Sequence, residues 1–269
     1  MTTVTDWREA PTAELAVLGD PISHSWSPKM QSAALANLGI DDRYVAIRVP
    51  LSELIPALNH LKSIGYKGVN LTSPLKQAVH EWANLDEFAS RCGSANTVRM
   101  SDRKGTTTDG IGVVNAIRHY GIPAGNRVLL LGAGGAARAA VTALSETGNF
   151  EVSVWNRSRA NAEKMLAEVR SNARLLDAPD TDGFDVVLNA TSASHQGSHI
   201  DIRWSGSVRL AMDMAYGEQP TAFVSDATKH GIHAVDGRYM LVYQGIVALK
   251  FWYGEIDPDP EVMLKAVNA

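Results

Sequence analysis

A single cysteine, Cys92, stands in the whole chain of 269 residues. One thiol excludes an intrachain disulfide and any metal site built from several thiolates, and it fits a reducing compartment. Long apolar runs are also missing: no stretch approaches the roughly 20 apolar residues that a membrane helix needs. The amino end carries Asp6 and Glu9 and lacks an apolar run before a small-residue cleavage site, so it does not read as a signal peptide. Excess charge is small. With 25 basic side chains against 29 acidic the net is −4, which offers no diffuse attraction to nucleic acid or anionic lipid. Neither a G-x-S-x-G elbow nor a G-x-x-x-x-G-K-[ST] loop occurs, which speaks against a serine hydrolase and a nucleoside triphosphatase. The expectation is a cytoplasmic protein with a small-molecule partner, no nucleic acid and no membrane, as a monomer or homodimer.

What is present is an ordinary globular composition, 45% hydrophobic and 20% charged. Short apolar runs alternate with helical patterns in a βαβ rhythm: Ala16-Val17-Leu18, a helix from Ser27, Arg43 to Val49, a helix from Leu51, then Gly68 to Leu71. Ile111, Val114 and Ile117 recur three apart between Asp109 and Gly121, which predicts a linking helix. A second rhythm follows, with strands at Arg127–Leu131, Glu151–Trp155 and Asp185–Asn189, and a helix running to about Thr147. After Gly237 the spacing of Met240, Val242, Ile246, Leu249 and Trp252 predicts a long helix that returns to the first half. The predicted fold class is therefore α/β in two domains. Residues 1–109, completed by 238–269, form the first domain, and residues 110–237 form a Rossmann-like nucleotide domain.

The strand Val128–Leu131 runs into Gly132-Ala133-Gly134-Gly135-Ala136-Ala137, a G-x-G-x-x-A turn ahead of a predicted helix. Gly132 allows the tight turn, Gly134 lets a pyrophosphate approach the backbone, and the helix N-terminus faces the anion. Where the next strand ends, an NAD-selective site offers Asp or Glu to the ribose; this chain offers Asn156-Arg157-Ser158-Arg159. Two guanidinium groups suit a 2′-phosphate, so the expected cofactor is NADP(H). Ser27 before Pro28 reads as a helix cap followed by an N1 proline. Ser25 and Ser27 also place two hydroxyls near a helix N-terminus, a seat for a carboxylate. Lys76 falls about three residues into a helix predicted to be capped by Ser73 and begun by Pro74. There the macrodipole disfavours a cation by up to about 1 kcal/mol, an awkward place for a purely structural lysine.

The ordered set G-x-P-I-x-H-S-x-S-P (from Gly19), N-x-T-x-P-x-K (from Asn70), G-x-x-N-T (from Gly93), T-D-G-x-G (from Thr108), G-A-G-G-A-A, N-R, and M-L-V-x-Q-G (from Met240) resembles shikimate dehydrogenase over about Ala16 to Gly254. The resemblance implies NADPH-dependent reduction of 3-dehydroshikimate to shikimate in aromatic amino-acid biosynthesis. It implies Lys76 and Asp109 as the catalytic pair, and Ser25 and Ser27 as ligands of the substrate carboxylate. Asn70, Thr72, Asn96, Tyr216 and Gln244 match further substrate contacts. Gly132, Ala133, Gly134, Gly135, Ala136, Asn156, Arg157, Ser158, Arg159, Thr191, Met214 and Gly237 match the cofactor site. Glu87 matches an acidic cofactor-side residue.

The chain departs from the family pattern at Ala193-Ser194-His195 after Ser192, at Thr107, at Gln31 and at Arg238. These departures bear on affinity and substrate choice. One alternative is a paralogue acting on quinate, aminoshikimate or another hydroaromatic alcohol. The second serine and the absence of an acidic residue at Asn156 weigh against it. A non-catalytic NADP(H)-binding sensor is the other, against which Lys76 and Asp109 weigh. His195 and His199, and His230 and His233, lie at spacings that glycines interrupt, so no metal is expected.

Overall fold

The computed structural model describes residues 3–146, 148–191, 193 and 199–268. The chain divides into two compact units, residues 1–108 with 241–269, and residues 109–240. In the first unit β1 (Val4–Asp6), β2 (Leu15–Gly19), α1 (Ser27–Asn37), β3 (Tyr44–Arg48), α2 (Leu54–Ser63) and β4 (Gly68–Leu71) follow in a βαβ succession. Then come β5 (Asn84–Leu85), α3 (Glu87–Cys92), β6 (Thr97–Arg99) and β7 (Lys104–Thr106). The described strands form one sheet in the order β1-β3-β2-β4-β6-β7-β5. The pairs from β1 to β4 are parallel, β6 is antiparallel to β4 and β7, and β5 is parallel to β7. All five residues of β2 and all four of β4 are buried, as strands covered on both faces must be. Leu18, Ile47, Leu58, Val69, Leu71 and Leu75 belong to the core of this unit.

The second unit opens with α4 (Asp109–His119) and continues through β8 (Arg127–Leu131), α5 (Gly135–Glu146), β9 (Glu151–Trp155), α6 (Arg159–Glu168), β10 (Arg174–Leu175), β11 (Val186–Asn189), β12 (Leu210–Asp213), α7 (Ala222–Lys229) and β13 (Ala234–Val235). Its described strands are all parallel, in the order β10-β9-β8-β11-β12-β13. This is the doubly wound 3-2-1-4-5-6 order, with its topological switch point between β8 and β11. Leu129, Leu131, Val187 and Ala211 anchor the core.

The buried stripe of α4 is Gly110, Val113, Val114 and Ile117, at the i, i+3, i+4, i+7 spacing of an apolar face. Ile111, expected to share that face, is only partly buried. The reason is the close crossing of α4 with α5. A Cβ on Gly110 would lie 2.3 Å from the Ala139 carbonyl oxygen and 2.6 Å from Ala143 Cβ. Because the obstacle is backbone, Gly110→Ala is expected to destabilise the protein by about 1–3 kcal/mol, the usual range for overpacking. Chemical denaturation measures this; an unchanged midpoint would mean the helices separate freely.

The chain ends with α8 (Arg238–Tyr253) and α9 (Pro260–Asn268). Residues 241–253 of α8 belong to the first unit. There Trp252 Nε1 donates to the Val98 carbonyl at 3.0 Å, and a Cβ on Gly68 would lie 2.4 Å from that nitrogen. The Tyr253 hydroxyl donates to Asp42, and α9 packs on α1. No helix among the described residues is long and apolar enough to cross a membrane.

Candidate functional site

Candidate site residues of the first unit gather at the carboxyl ends of β2 and β4. These strands are neighbours and parallel, so the segments that leave them emerge at one edge of the sheet. The segment after β2 carries Ser25 and Ser27, 5% and 7% exposed. Ser27 is the first residue of α1 rather than its cap: Trp26 occupies the N-cap position and makes no capping bond. The Ser27 N–H donates to Ser25 Oγ at 3.3 Å, a local serine turn. The Ser27 hydroxyl has no hydrogen-bond partner among the described residues.

After β4, the Thr72 N–H donates to the Leu18 carbonyl at 2.9 Å. A Cβ on Gly19 would lie 2.5 Å from Thr72 Cγ2, so the glycine lets the two segments meet. The helix predicted from Pro74 is absent. Residues 73–77 form turns, and Ala78–Glu81 a single 3-10 turn. An α-helix there would commit the Lys76 carbonyl to the N–H of His80. That carbonyl instead accepts from the Ala95 N–H at 2.9 Å, while Leu75 and Val79 are driven fully into the core. The macrodipole argument for Lys76 therefore does not hold. What holds is its position: partly buried, on a segment bonded to the one that carries Asn96.

Four buried side chains continue the site. Asn70 Nδ2 donates to the Asn96 carbonyl at 3.0 Å and to Thr97 Oγ1 at 2.9 Å, and its Oδ1 accepts from the Tyr44 hydroxyl at 2.7 Å. Both amide protons are used, so Asn70 meets a ligand only as an acceptor. Asn96 Oδ1 accepts the Thr108 N–H at 2.8 Å, and Asn96 Nδ2 lies 3.0 Å from Thr108 Oγ1. The Thr108 hydroxyl also reaches Gln244 Oε1 at 3.2 Å, and Gln244 Nε2 is held by the Leu241 carbonyl at 2.8 Å. Asn70 is thus tied to Asn96 directly, Asn96 to Gln244 through Thr108, and Tyr44 holds the far end at Asn70. Nothing in the sequence marks Tyr44, which reads as an ordinary strand residue. Thr108 lies inside a recognisable motif, but only the fold shows that it links Asn96 to Gln244. The next residue, Asp109, is 6% exposed and begins α4 in the second unit. Glu87 stands exposed in the first turn of α3.

The second unit builds its site at the switch point. Gly132 follows β8 with φ +116°, and a Cβ there would lie 3.1 Å from the Ala190 carbonyl carbon and 3.2 Å from Thr191 Cγ2, just beyond β11. Ala133 and Gly134 complete the turn, and Gly135 and Ala136 open α5. A Cβ on Gly134 or Gly135 would meet nothing within 4 Å. The turn thus leaves open space at the start of a helix whose first N–H groups lack helical partners, which fits a pyrophosphate. At the end of β9, Asn156 Nδ2 donates to the Ser158 carbonyl at 2.8 Å, and Ser158 caps α6 by accepting the Asn161 N–H. Arg159 pairs with Glu163 and Asp177. Arg157 is exposed and has no partner among the described residues.

At the end of β11, Asn189 Oδ1 accepts from the Thr191 N–H and hydroxyl, and its Nδ2 donates to Asp213 Oδ1 at 3.2 Å. Asp213, fully buried, also accepts from the Ala215 N–H and the Thr221 hydroxyl. This network shapes the segments bearing Thr191, Met214 and Tyr216, the last two partly buried. Gly237 packs on the same segment: a Cβ there would lie 2.3 Å from the Met214 carbonyl oxygen. Arg238 donates to the Gly217 carbonyl at 2.8 Å and lies 3.5 Å from Asp236. It fastens the segment after β12 to the start of α8. Burial pushes the Asp236 carboxyl above the ordinary range, opposed by the N–H and guanidinium of Arg238. Ser192, Ser194 and His195 lie outside the described residues. Among those described, no group of three or more His, Cys, Asp or Glu side chains could hold a metal ion.

Residues 17–98 match the shikimate dehydrogenase substrate binding domain, residues 116–201 match shikimate/quinate 5-dehydrogenase, and residues 237–267 match the shikimate 5′-dehydrogenase C-terminal domain. The NADP(+) shikimate dehydrogenase of Methanothrix thermoacetophila is 40% identical over 94% of this chain and 96% of its own. The chain belongs to the shikimate dehydrogenase family. Among solved relatives, the family member from Thermus thermophilus, in complex with NADP(H) and shikimate, superposes with a TM-score of 0.86 at 34% identity, covering 95% of this chain and 98% of that one. The 5-ketofructose reductase of a Gluconobacter strain superposes with a TM-score of 0.83 at 27% identity, covering 96% and 98%. As a shikimate dehydrogenase family member, the chain has the α/β architecture expected from its motifs. The two polar networks, around Thr108 and around Asp213, are what the motifs alone do not reveal.

Proposed function

We propose that this protein catalyses the reversible, NADP-dependent reduction of 3-dehydroshikimate to shikimate in the shikimate pathway. The observation that carries the reading is the bonded network Tyr44–Asn70–Asn96–Thr108–Gln244, alongside two buried serines and Lys76 at one edge of the first sheet. A polyhydroxylated ring with one carboxylate needs such a surface: hydroxyls for the carboxylate, amides for the ring hydroxyls, and one proton donor.

Ser25 and Ser27 take the carboxylate, and Ser27 is suited to this because its hydroxyl is not used for capping. Asn70 accepts from a ring hydroxyl through its remaining Oδ1 lone pair, and Thr72, Asn96, Tyr216 and Gln244 hold the ring's orientation. Bound NADPH supplies a hydride equivalent to the C3 carbonyl carbon. Lys76 gives a proton from Nζ to the C3 oxygen as the C–O double bond becomes single, leaving a neutral amine that solvent reprotonates. In reverse the amine takes the hydroxyl proton. Asp109, the second member of the catalytic pair, orients the ring through the hydroxyl beside the reacting carbonyl. Gly132 to Ala136 would hold the pyrophosphate and Asn156 to Arg159 the 2′-phosphate of NADP(H), with Thr191, Met214 and Gly237 on the nicotinamide side.

The test is reduced-nicotinamide absorbance with purified protein and shikimate or quinate, each paired with NADP⁺ or NAD⁺. Fastest turnover is expected with shikimate and NADP⁺. A preference for quinate would refute the substrate assignment. Silence in all four pairs, from folded protein that binds NADPH, would make it a sensor.

A further inference from the structure

Gln31 is a fully buried polar side chain of the first unit, with 0% exposure. It sits on α1 four residues after Ser27, on the same helical face. Its Nε2 donates to the Gly245 carbonyl at 3.3 Å, and its Oε1 has no hydrogen-bond partner among the described residues. The carbonyl fixes which end of the amide faces α8, since a flipped amide would set oxygen against oxygen. Gly245 is where the helices meet. A Cβ on it would lie 2.5 Å from Met30 Cε, 3.0 Å from Gln31 Nε2 and 3.1 Å from Met263 Cε. The residue before it is Gln244, whose Oε1 is bound by Thr108.

A buried acceptor left unpaired is a standing cost to the fold. Were packing the only demand at position 31, a methionine of similar volume would meet it without that cost. The amide's one bond, however, ties the helix that begins with Ser27 to the turn of α8 that bears Gln244. We propose that Gln31 is a positioning residue that sets the spacing between Ser27 and Gln244, and so the fit of a ring whose carboxylate lies on one side and hydroxyls on the other. This rests on the function proposed above.

The test compares Gln31→Met and Gln31→Glu with wild type by calorimetric binding of shikimate and, separately, of NADP⁺, together with thermal unfolding. Gln31→Met removes the tether and the unpaired acceptor. It is expected to unfold at the same or a higher temperature and bind NADP⁺ unchanged, yet bind shikimate about tenfold more weakly, because small misplacements of paired contacts are costly. Gln31→Glu keeps the shape but replaces the donor that faces Gly245, and it should show the same shikimate defect. Gln31→His, which keeps an N–H donor, should recover most of the affinity. Unchanged shikimate binding in Gln31→Met would overturn the inference. So would loss of shikimate and NADP⁺ binding together with a lowered unfolding temperature, or failure to fold, since either marks a packing role. Wild-type protein that binds no shikimate would overturn the proposed function and this inference with it.

Discussion

Lys76→Ala is expected to lower kcat for shikimate oxidation by about 10²–10⁴-fold, the usual contribution of a positioned general acid or base, while shikimate still binds. The carbonyl oxygen gains negative charge as the carbon is reduced, and Lys76 is the group assigned to neutralise it by proton transfer. Its backbone is anchored through the Ala95 N–H rather than by a helix, so removing the side chain should leave the segment in place. Lys76→Arg separates two roles. A guanidinium keeps the positive charge but is effectively never deprotonated, so it should not rescue turnover if proton transfer is the function. Steady-state kinetics with calorimetric shikimate binding checks both variants. Near wild-type kcat in Lys76→Ala would sink the assignment, and full rescue by arginine would replace proton transfer with charge stabilisation.

Arg157→Ala should raise KM for NADP⁺ by about 10–100-fold and leave KM for NAD⁺ nearly unchanged. A charge-assisted hydrogen bond contributes about 1.5–3 kcal/mol, and each 1.4 kcal/mol is a factor of ten in affinity. Both Arg157 and Arg159 flank the end of β9, but among the described residues only Arg159 is drawn toward neighbouring carboxylates, those of Glu163 and Asp177. Its partners are solvent-exposed, so those pairs are weak and do not immobilise it. They nonetheless compete for the guanidinium, so Arg159→Ala should have the smaller effect. High salt should narrow the difference between wild type and Arg157→Ala, because exposed charges are screened. Equal losses with NADP⁺ and NAD⁺ would show that Arg157 supports the loop rather than the 2′-phosphate.

The nucleotide-type unit was largely legible because its central strands are buried on both faces. Val128 to Leu131 have no exposure and read as one apolar run, so strand, glycine turn and helix followed from local signals. The segment around Lys76 was not legible in the same way. Ser73, Pro74 and the residues after them carry good helix-start chemistry, but Leu75 and Val79 had core sites to fill and Ala95 offered the Lys76 carbonyl a distant donor. A tertiary bond overrode a local preference worth only tenths of a kcal/mol per residue. Ser27 departs from expectation on a smaller scale: it is the first residue of α1 rather than its cap, and its N–H is taken by Ser25.

By itself the sequence determined the α/β class, the glycine turn, the basic turn after β9 and the list of chemically capable residues, because each depends on spacing along a few consecutive residues. Only the tertiary structure decided which of those residues are spoken for. Among the described residues, Asn70 has both amide protons committed, Ser27 keeps its hydroxyl, Arg159 is paired where Arg157 is not, and Gln31 is buried with one end unsatisfied. A side chain's remaining hydrogen-bonding capacity is set by neighbours that lie far away in the chain, 26 residues for Asn70 with Asn96 and 214 for Gln31 with Gly245. No local pattern encodes that.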